Sequence, residues 1–329
     1  MPSDAIEIAL PSDQNYFPGL MVTVYSMAKN ASSNAVLVFN ILDGGIVDDS
    51  FALLQKTVAK VHPKSSFRRF KIDEQDFSTF PDWKGNKMTY VRYLLPRLLK
   101  ESQFVIYGDS DCLWLADIES LWRRRDENII LHGVYDSLGE KSERTWFESR
   151  GLSFSEDRYF CNGLLLMNLD LFRKEGIIEK CTDFIKNHPD VQYADQSAFN
   201  HVIGSRVMML PTLFNFFTRE ISSNVVHAPV VLHYANDLPW RDPFLPTIFL
   251  PNYKYLWFQY YAEAMDVRTD VICRRHGYTH RRFIHALLTY LLPRDFARHI
   301  LLGFLLVFHM RHTFEALRHY AGKCGEIKC

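Results

Sequence analysis

Apolar and polar positions follow two rhythms along the first third of the chain. Compact apolar runs at residues 5–10, 35–42, 67–72 and 104–107 are too short for helices and read as buried strands. Between them, residues 17–29 and 50–61 carry apolar side chains three and four positions apart. Leu20, Val24, Met27 and Ala28 share one face of the first of these segments. Residues 89–100 keep the helical spacing despite Pro96. Strands alternating with helices predict a mostly parallel α/β sheet with helices on both faces.

The second half continues with more loop. Residues 129–135 read as a strand ending at Asp136, and residues 141–158 as a charged, weakly periodic surface stretch. A short apolar run at 163–167 precedes Asn168, which opens a helix through Glu175. A further helix spans 177–187 and a helical turn 197–202, and late strands lie at 208–211 and 230–234.

Sheets of this kind hold ligands at the loops after their strands, here residues 12–15 and 108–111. At the second loop the apolar run Phe104-Val105-Ile106-Tyr107 stops in Gly108-Asp109-Ser110-Asp111. In extended chain, residues i and i+2 point the same way, so Asp109 and Asp111 converge. Two carboxylates held that close repel unless a cation or a proton lies between them. Mg²⁺ or Mn²⁺ suits such a site, since both prefer oxygen ligands and share substrate phosphates. A polar turn that ends the strand is the plainer alternative.

Composition and charge narrow the class. The 329 residues suit one large domain or two. Formal charge is zero but uneven: residues 266–329 hold 11 Lys and Arg against 5 Asp and Glu, which leaves 27 against 33 in residues 1–265. An acidic body without a nucleic-acid motif argues against a nucleic-acid partner. The six cysteines form no Cys-x-x-Cys pair, so the pattern indicates neither a zinc site nor a disulfide framework, and a reducing compartment is expected. The start, Met1-Pro2-Ser3-Asp4, lacks the basic and apolar stretches of a signal peptide, and no run of 18 apolar residues predicts a spanning helix.

Several ordered motifs, over roughly residues 5–260, together resemble glycosyltransferase family 8. This family includes the retaining galactosyl- and glucosyltransferases of bacterial lipopolysaccharide. The motifs are a strand and polar loop ending in Asn15-Tyr16, then Thr89-Tyr90-Val91-Arg92-Tyr93, then Tyr107-Gly108-Asp109-Ser110-Asp111. Asp195-Gln196 and His233-Tyr234-Ala235-Asn236-Asp237-Leu238-Pro239-Trp240 follow. The resemblance implies a GT-A-type fold, a single Rossmann-like nucleotide-sugar-binding domain with a mostly parallel mixed sheet. It implies a UDP-sugar donor, UDP-galactose or UDP-glucose, and a glycan or lipid-linked acceptor such as lipopolysaccharide or capsule oligosaccharide. Pro11, Asp13 and Asn15 would hold the uracil end, and Arg92 the phosphates. Asp109, Asp111 and His233 would ligate Mn²⁺ or Mg²⁺. Ser110, Asn162, Asn236 and Arg241 would complete the donor site, and Asp136, Asp195 and Gln196 would act at the sugar.

Two departures from the family pattern stand out. The late motif is one residue short and lacks the family's Gly and Lys; Arg241, just after Trp240, is the cation in that region. The family's Phe-Asn-Ala/Ser-Gly reads Phe160-Cys161-Asn162-Gly163, with the Asn shifted by one, and a one-residue shift in a strand changes the face. Two other readings are a glycogenin-like self-glucosylating initiator and a non-catalytic nucleotide-sugar-binding subunit.

The domain boundary is expected at 262. Residues 263–329 interleave Arg274-Arg275, Arg281-Arg282, Arg294 and Arg298 with apolar clusters, including a nine-residue run at 300–308. That pattern fits a basic amphipathic helical segment lying in an anionic membrane interface. It predicts a cytoplasmic protein, peripheral on the inner membrane face. Packing of the segment on the protein itself is the alternative.

Overall fold

A computed structural model describes residues 5–78, 80–81, 87–152, 157–218, 229–241 and 252–275. The first half alternates as its apolar rhythm predicts: β1 (Ile6–Ser12), α1 (Phe17–Asn30), β2 (Leu37–Asp43), α2 (Asp48–Val61) and β3 (Ser65–Lys71). A one-turn helix, α3 (Leu95–Leu98), leads to β4 (Phe104–Gly108) and β5 (Cys112–Trp114). After α4 (Glu119–Trp122) come β6 (Leu131–Tyr135), α5 (Ser137–Glu148), β7 (Phe160–Asn168), α6 (Leu169–Glu175), α7 (Ile177–Asn187) and α8 (Ala194–Ile203). The order ends with β8 (Val207–Leu210), β9 (Phe216–Phe217), β10 (Val231–His233), α9 (Asn252–Ala264) and α10 (Thr269–Arg275).

Seven strands form one sheet in the order β3-β2-β1-β4-β7-β6-β8. Only β7 runs against its neighbours, pairing antiparallel with β4 and β6. The sheet is thus mostly parallel, and its strands are apolar on both sides because each face is covered. One face packs on α1 and α2, the other on the layer built from α3 and α6 to α8. A second sheet, β5-β10-β9, continues from the end of β4.

Three stretches differ from the sequence reading. Residues 88–94 wind as a 3₁₀ helix, and Pro96 starts α3 rather than lying inside a long helix; proline fits a first turn because its missing N–H has no partner there. The charged stretch read as surface is helical over α5, and it buries Glu143, Trp146 and Phe147. The short strand at 163–167 is nine residues long in β7.

Helix α1 fixes where β5 lies. Thr23 and Ser26 face inward one turn apart, and Asn30 follows on the same side. Thr23 Oγ1 donates to Cys112 O at 2.7 Å, Trp114 N donates to Ser26 Oγ at 3.0 Å, and Asn30 Nδ2 donates to Trp114 O at 2.8 Å. These bonds satisfy backbone groups of β5 that would otherwise be buried unpaired. Gly19 permits the approach, since a Cβ there would stand 2.3 Å from Ser110 O.

Helix α9 packs beside α1 and α10 against α9, with Trp257, Ile272 and Cys273 buried in the same core. The remainder of the basic C-terminal segment, residues 276–329, lies outside the described residues, as do Arg281, Arg282, Arg294 and Arg298. Among the described residues no helix is long and apolar enough to cross a membrane.

Candidate active site

A cleft of about 560 Å³ opens where β4 passes into β5. Asp109, Ser110 and Asp111 form that passage, between the large sheet and the small one. Asp109 N donates to Gly163 O at 2.8 Å, which ties the loop to β7. Tyr234 N donates to Asp111 O at 3.0 Å, and β10 pairs His233 opposite Cys112. The backbone therefore brings His233 beside the two aspartates.

His233 Nε2 stands 3.2 Å from Asp111 Oδ1 as an ion-pair contact. The other ring nitrogen, Nδ1, lies 2.9 Å from Asn215 Oδ1. Asn215 can only accept there, so Nδ1 carries a proton and Nε2 points to the carboxylate. Burial opposes protonation of His233, but the Asp111 carboxylate outweighs it and holds the imidazole well above its ordinary value. Burial also pushes the Asp109 carboxyl up, against the pull of Arg92.

These residues fit a divalent cation. Asp111 Oδ1 is shut off from solvent, with His233 Nε2 as its ion-pair partner at 3.2 Å. An Asp111 oxygen, Cys112 Sγ and a His233 nitrogen all lie within 4.8 Å of one another. Gly163 leaves the room: a Cβ there would sit 2.3 Å from His233 Cε1 and 3.0 Å from Asp109 Oδ2.

Arg92 anchors the floor of the cleft and is buried. Its Nη1 donates to Asn162 O at 2.6 Å and its Nη2 to Asp109 Oδ1 at 3.4 Å. Its Nε lies 3.1 Å from Asp195 Oδ2, and the guanidinium covers the Tyr107 ring at 4.4 Å. Tyr107 also donates to Asp109 Oδ1 at 2.9 Å. Two carboxylates on one buried guanidinium keep it charged.

Asp195 does not cap α8; Tyr193 holds the cap position, and Ala194 enters the helix at φ +47°. The Asp195 carboxylate instead accepts from Thr89 Oγ1 at 2.7 Å and Asn162 Nδ2 at 2.8 Å. Gln196 points the other way along the same wall. Its Oε1 accepts from Asn162 N at 3.1 Å, and its Nε2 donates to Asp136 Oδ2 at 3.2 Å and to Tyr159 Oη at 3.4 Å. Asp136 also caps α5, accepting from Gly139 N at 2.9 Å.

The register between β6 and β7 breaks here: Gly133 faces Leu165, but Val134 faces Cys161. The intervening residues of β7 bulge, and bulges re-aim side chains. Cys161, Asn162 and Gly163 thereby all line the cleft despite the shifted Asn.

The cleft brings together Arg92, Asp109, Asp111, Asp136, Asn162, Asp195, Gln196, His233, Asn236 and Arg241 of the sequence-derived set. Pro11, Asp13, Asn15 and Ser110 are not among its lining residues. Asp13 Oδ1 accepts from Tyr16 N at 2.8 Å, Asn15 O accepts from Trp240 Nε1 at 3.2 Å, and Ser110 Oγ donates to Pro11 O. They build the rim behind Tyr16, whose ring carries Arg241 at 4.3 Å. Four contributors were absent from the sequence-derived site: Tyr16, Thr89, Cys161 and Asn215. Tyr16 and Thr89 stand inside quoted motifs. Cys161 also stands inside a quoted motif, Phe160-Cys161-Asn162-Gly163, whereas Asn215 carries no sequence signal, since a strand pairing places it.

A mixed, mostly parallel sheet with acidic residues at the β4 end is the architecture of GT-A glycosyltransferases. The profile of Glycosyl transferase family 8 matches residues 7–243, and the chain belongs to that family. A putative glycosyltransferase of Haemophilus influenzae is 27% identical over 217 residues, which is 65% of this chain and 64% of the relative. The chain thus spans just under two thirds of that relative's length. The lipopolysaccharide 1,3-galactosyltransferase of Salmonella typhimurium is 23% identical, over 73% of this chain and 74% of the relative. Among solved structures, the galactosyltransferase LgtC in complex with donor and acceptor sugar analogs superposes with a TM-score of 0.65 at 22% identity, covering 80% of this chain and 96% of LgtC.

Proposed function

We propose that the chain transfers a hexose, galactose or glucose, from UDP to a glycan or lipid-linked acceptor, with retention of the anomeric configuration. The observation that carries this reading is that Asp109, Asp111, His233 and Arg92 line one cleft together with Gln196 and Asp136. The first group suits a diphosphate and the second a sugar.

Breaking a nucleotide-sugar bond develops negative charge on the departing diphosphate. Asp109, Asp111 and His233 would hold Mn²⁺ or Mg²⁺, which supplies Lewis-acid stabilisation of that charge. Arg92 adds a fixed positive charge close by, preorganised by Asp195, Asn162 and Tyr107 so that no reorganisation is needed. Arg241, which lines the cleft where the family's lysine is missing, adds a second guanidinium at the nucleotide end.

The sugar gains cationic character as the bond lengthens. Asp136 and the Gln196 amide face it with negative charge and a carbonyl dipole. A covalent nucleophile needs a free carboxylate, and Asp195 is occupied by Thr89, Asn162 and Arg92. Gln196 Oε1 is held by the Asn162 N–H. Both observations support attack by the acceptor on the face from which UDP leaves, with Gln196 supporting the cation. The basic C-terminal segment would keep this site at the inner face of a membrane, near a lipid-linked acceptor.

The test offers UDP-galactose, UDP-glucose and their N-acetyl forms with Mn²⁺, and reads the product anomer by NMR. An α-product from one UDP-hexose supports the reading. A β-product would overturn retention, and turnover of only the N-acetyl donors would overturn the hexose assignment.

A further inference from the structure

Two buried polar residues behind the cleft have no part in the reaction as described. Glu143, on α5, is 0% exposed, and Tyr159, just before β7, is equally shut off. Neither lines the cleft. A carboxyl group kept from solvent is costly unless hydrogen bonds compensate it. Tyr159 Oη donates to Glu143 Oε2 at 3.2 Å, and Ser197 and the backbone of residues 192 and 193 face the same carboxyl group. Helix α8 has no side-chain cap of its own. A carboxyl group from α5 thus stands at the N-terminus of the helix that carries Asp195 and Gln196.

Tyr159 extends this anchor to Gln196. Burial pushes the Tyr159 phenol well above its ordinary value, so the hydroxyl keeps its proton. That proton points to Glu143, which leaves an oxygen lone pair for Gln196 Nε2 at 3.4 Å. The other partners of the carboxamide agree. Asn162 N can only donate and meets Oε1, while Asp136 Oδ2 meets Nε2. Asn200 fixes the spacing between the two segments. Its Nδ2 donates to Phe160 O at 2.8 Å and to Gln196 O at 2.9 Å, and its Oδ1 accepts from Phe160 N at 2.8 Å. A Tyr159 hydroxyl turned the other way would put its proton against the Gln196 amino group and favour a turned carboxamide. A turned carboxamide presents N–H instead of C=O beside a sugar that is gaining positive charge.

We propose that Glu143 and Tyr159 are positioning residues for the transfer: Glu143 accepts the Tyr159 hydrogen bond, and the hydroxyl oxygen then holds the Gln196 carboxamide in one of its two orientations. Neither residue touches the substrate; both act through Gln196. Their role rests on the reading of Gln196 as the group that supports the sugar cation, whereas the chain of hydrogen bonds stands without it.

The test compares wild type, Tyr159→Phe, Glu143→Leu and Glu143→Gln for UDP release from UDP-galactose and UDP-glucose with Mn²⁺. It also follows the ¹⁵N–¹H signals of the Gln196 side chain, assigned by their loss in Gln196→Met. Tyr159→Phe should lower kcat by about ten- to a hundredfold, the larger figure being what a misplacement of about 1 Å costs. KM for the donor should hold, since the interaction serves the transition state alone. The Gln196 signals should shift and exchange faster with water. Glu143→Leu should behave alike, and Glu143→Gln, which keeps an oxygen for Tyr159, should recover part of the loss. Wild-type kcat in Tyr159→Phe overturns the positioning role, and so do Gln196 signals that stay in place while the variant merely melts earlier. No UDP release by the wild type from either donor overturns the proposed function and the role with it, while Gln196 signals that still shift in Tyr159→Phe uphold the chain of bonds.

Discussion

His233 Nδ1 donates to Asn215 Oδ1 at 2.9 Å, which turns Nε2 toward Asp111. On the proposed function, Asn215 would be a positioning residue for the cation site. Asn215→Ala should lower Mn²⁺ affinity by about ten- to a hundredfold, the usual cost of losing such a partner. Titration by electron paramagnetic resonance checks it, and an unchanged affinity would show that the ring needs no such support.

Gly163 is defined by what a methyl group would strike. A Cβ at 2.3 Å from His233 Cε1 requires the imidazole to move. Gly163→Ala should cost about 1–3 kcal/mol of stability as overpacking and abolish Mn²⁺ binding. A thermal melt with a parallel metal titration separates the two effects. Full metal binding in this variant would mean that the strand yields instead.

Arg92 balances Asp195 and Asp109 in a buried network. Arg92→Met leaves those carboxylates unpaired and should destabilise the protein by about 3–5 kcal/mol. Arg92→Lys keeps the charge but loses the fork that reaches Asn162, Asp109 and Asp195 together, so it should fall between. Urea denaturation measures both, and equal stability of Arg92→Met and the wild type would refute the role.

Glu143 is wholly buried in α5, where Tyr159 Oη donates to it at 3.2 Å. Burial raises its carboxyl above the ordinary value, against hydrogen bonds from Ser197, Tyr159 and the backbone of residues 192 and 193. The folded protein thus binds this proton more tightly than the unfolded chain does. Its contribution is fully present below the ordinary carboxylate value, about 4.3 for Glu. It is lost as pH rises from there through the raised value. Glu143→Gln removes that loss. Its melting temperature relative to wild type should climb between about pH 4 and pH 7; a difference that falls over this interval would reverse the sign.

The apolar rhythm of residues 5–72 was enough to order β1 to β3 with α1 and α2, because strands covered on both faces are apolar throughout. It also set Asp109 and Asp111 at the end of β4. The helix α5 escaped it, since Glu140 and Glu143 are buried among their hydrogen-bond partners and blur the amphipathic pattern. Asp195 stands in the first turn of α8, where an aspartate often caps; its carboxylate is drawn instead to Arg92, Thr89 and Asn162, contacts across the fold. Asn215 and Cys161 owe their places to the β9–β10 region and the β7 bulge, which are long-range pairings that no local spacing encodes.

Release of UDP from a UDP-hexose, with and without Mn²⁺, for the wild type and Asp111→Asn, addresses the catalytic reading most directly. Slow metal-dependent release without acceptor is expected, reduced by roughly two to three orders of magnitude in the variant, as befits a cation supplying several kcal/mol to the transition state. Release that ignores the metal, or that survives Asp111→Asn unchanged, would contradict the assignment of Asp109, Asp111 and His233 as the centre of the site.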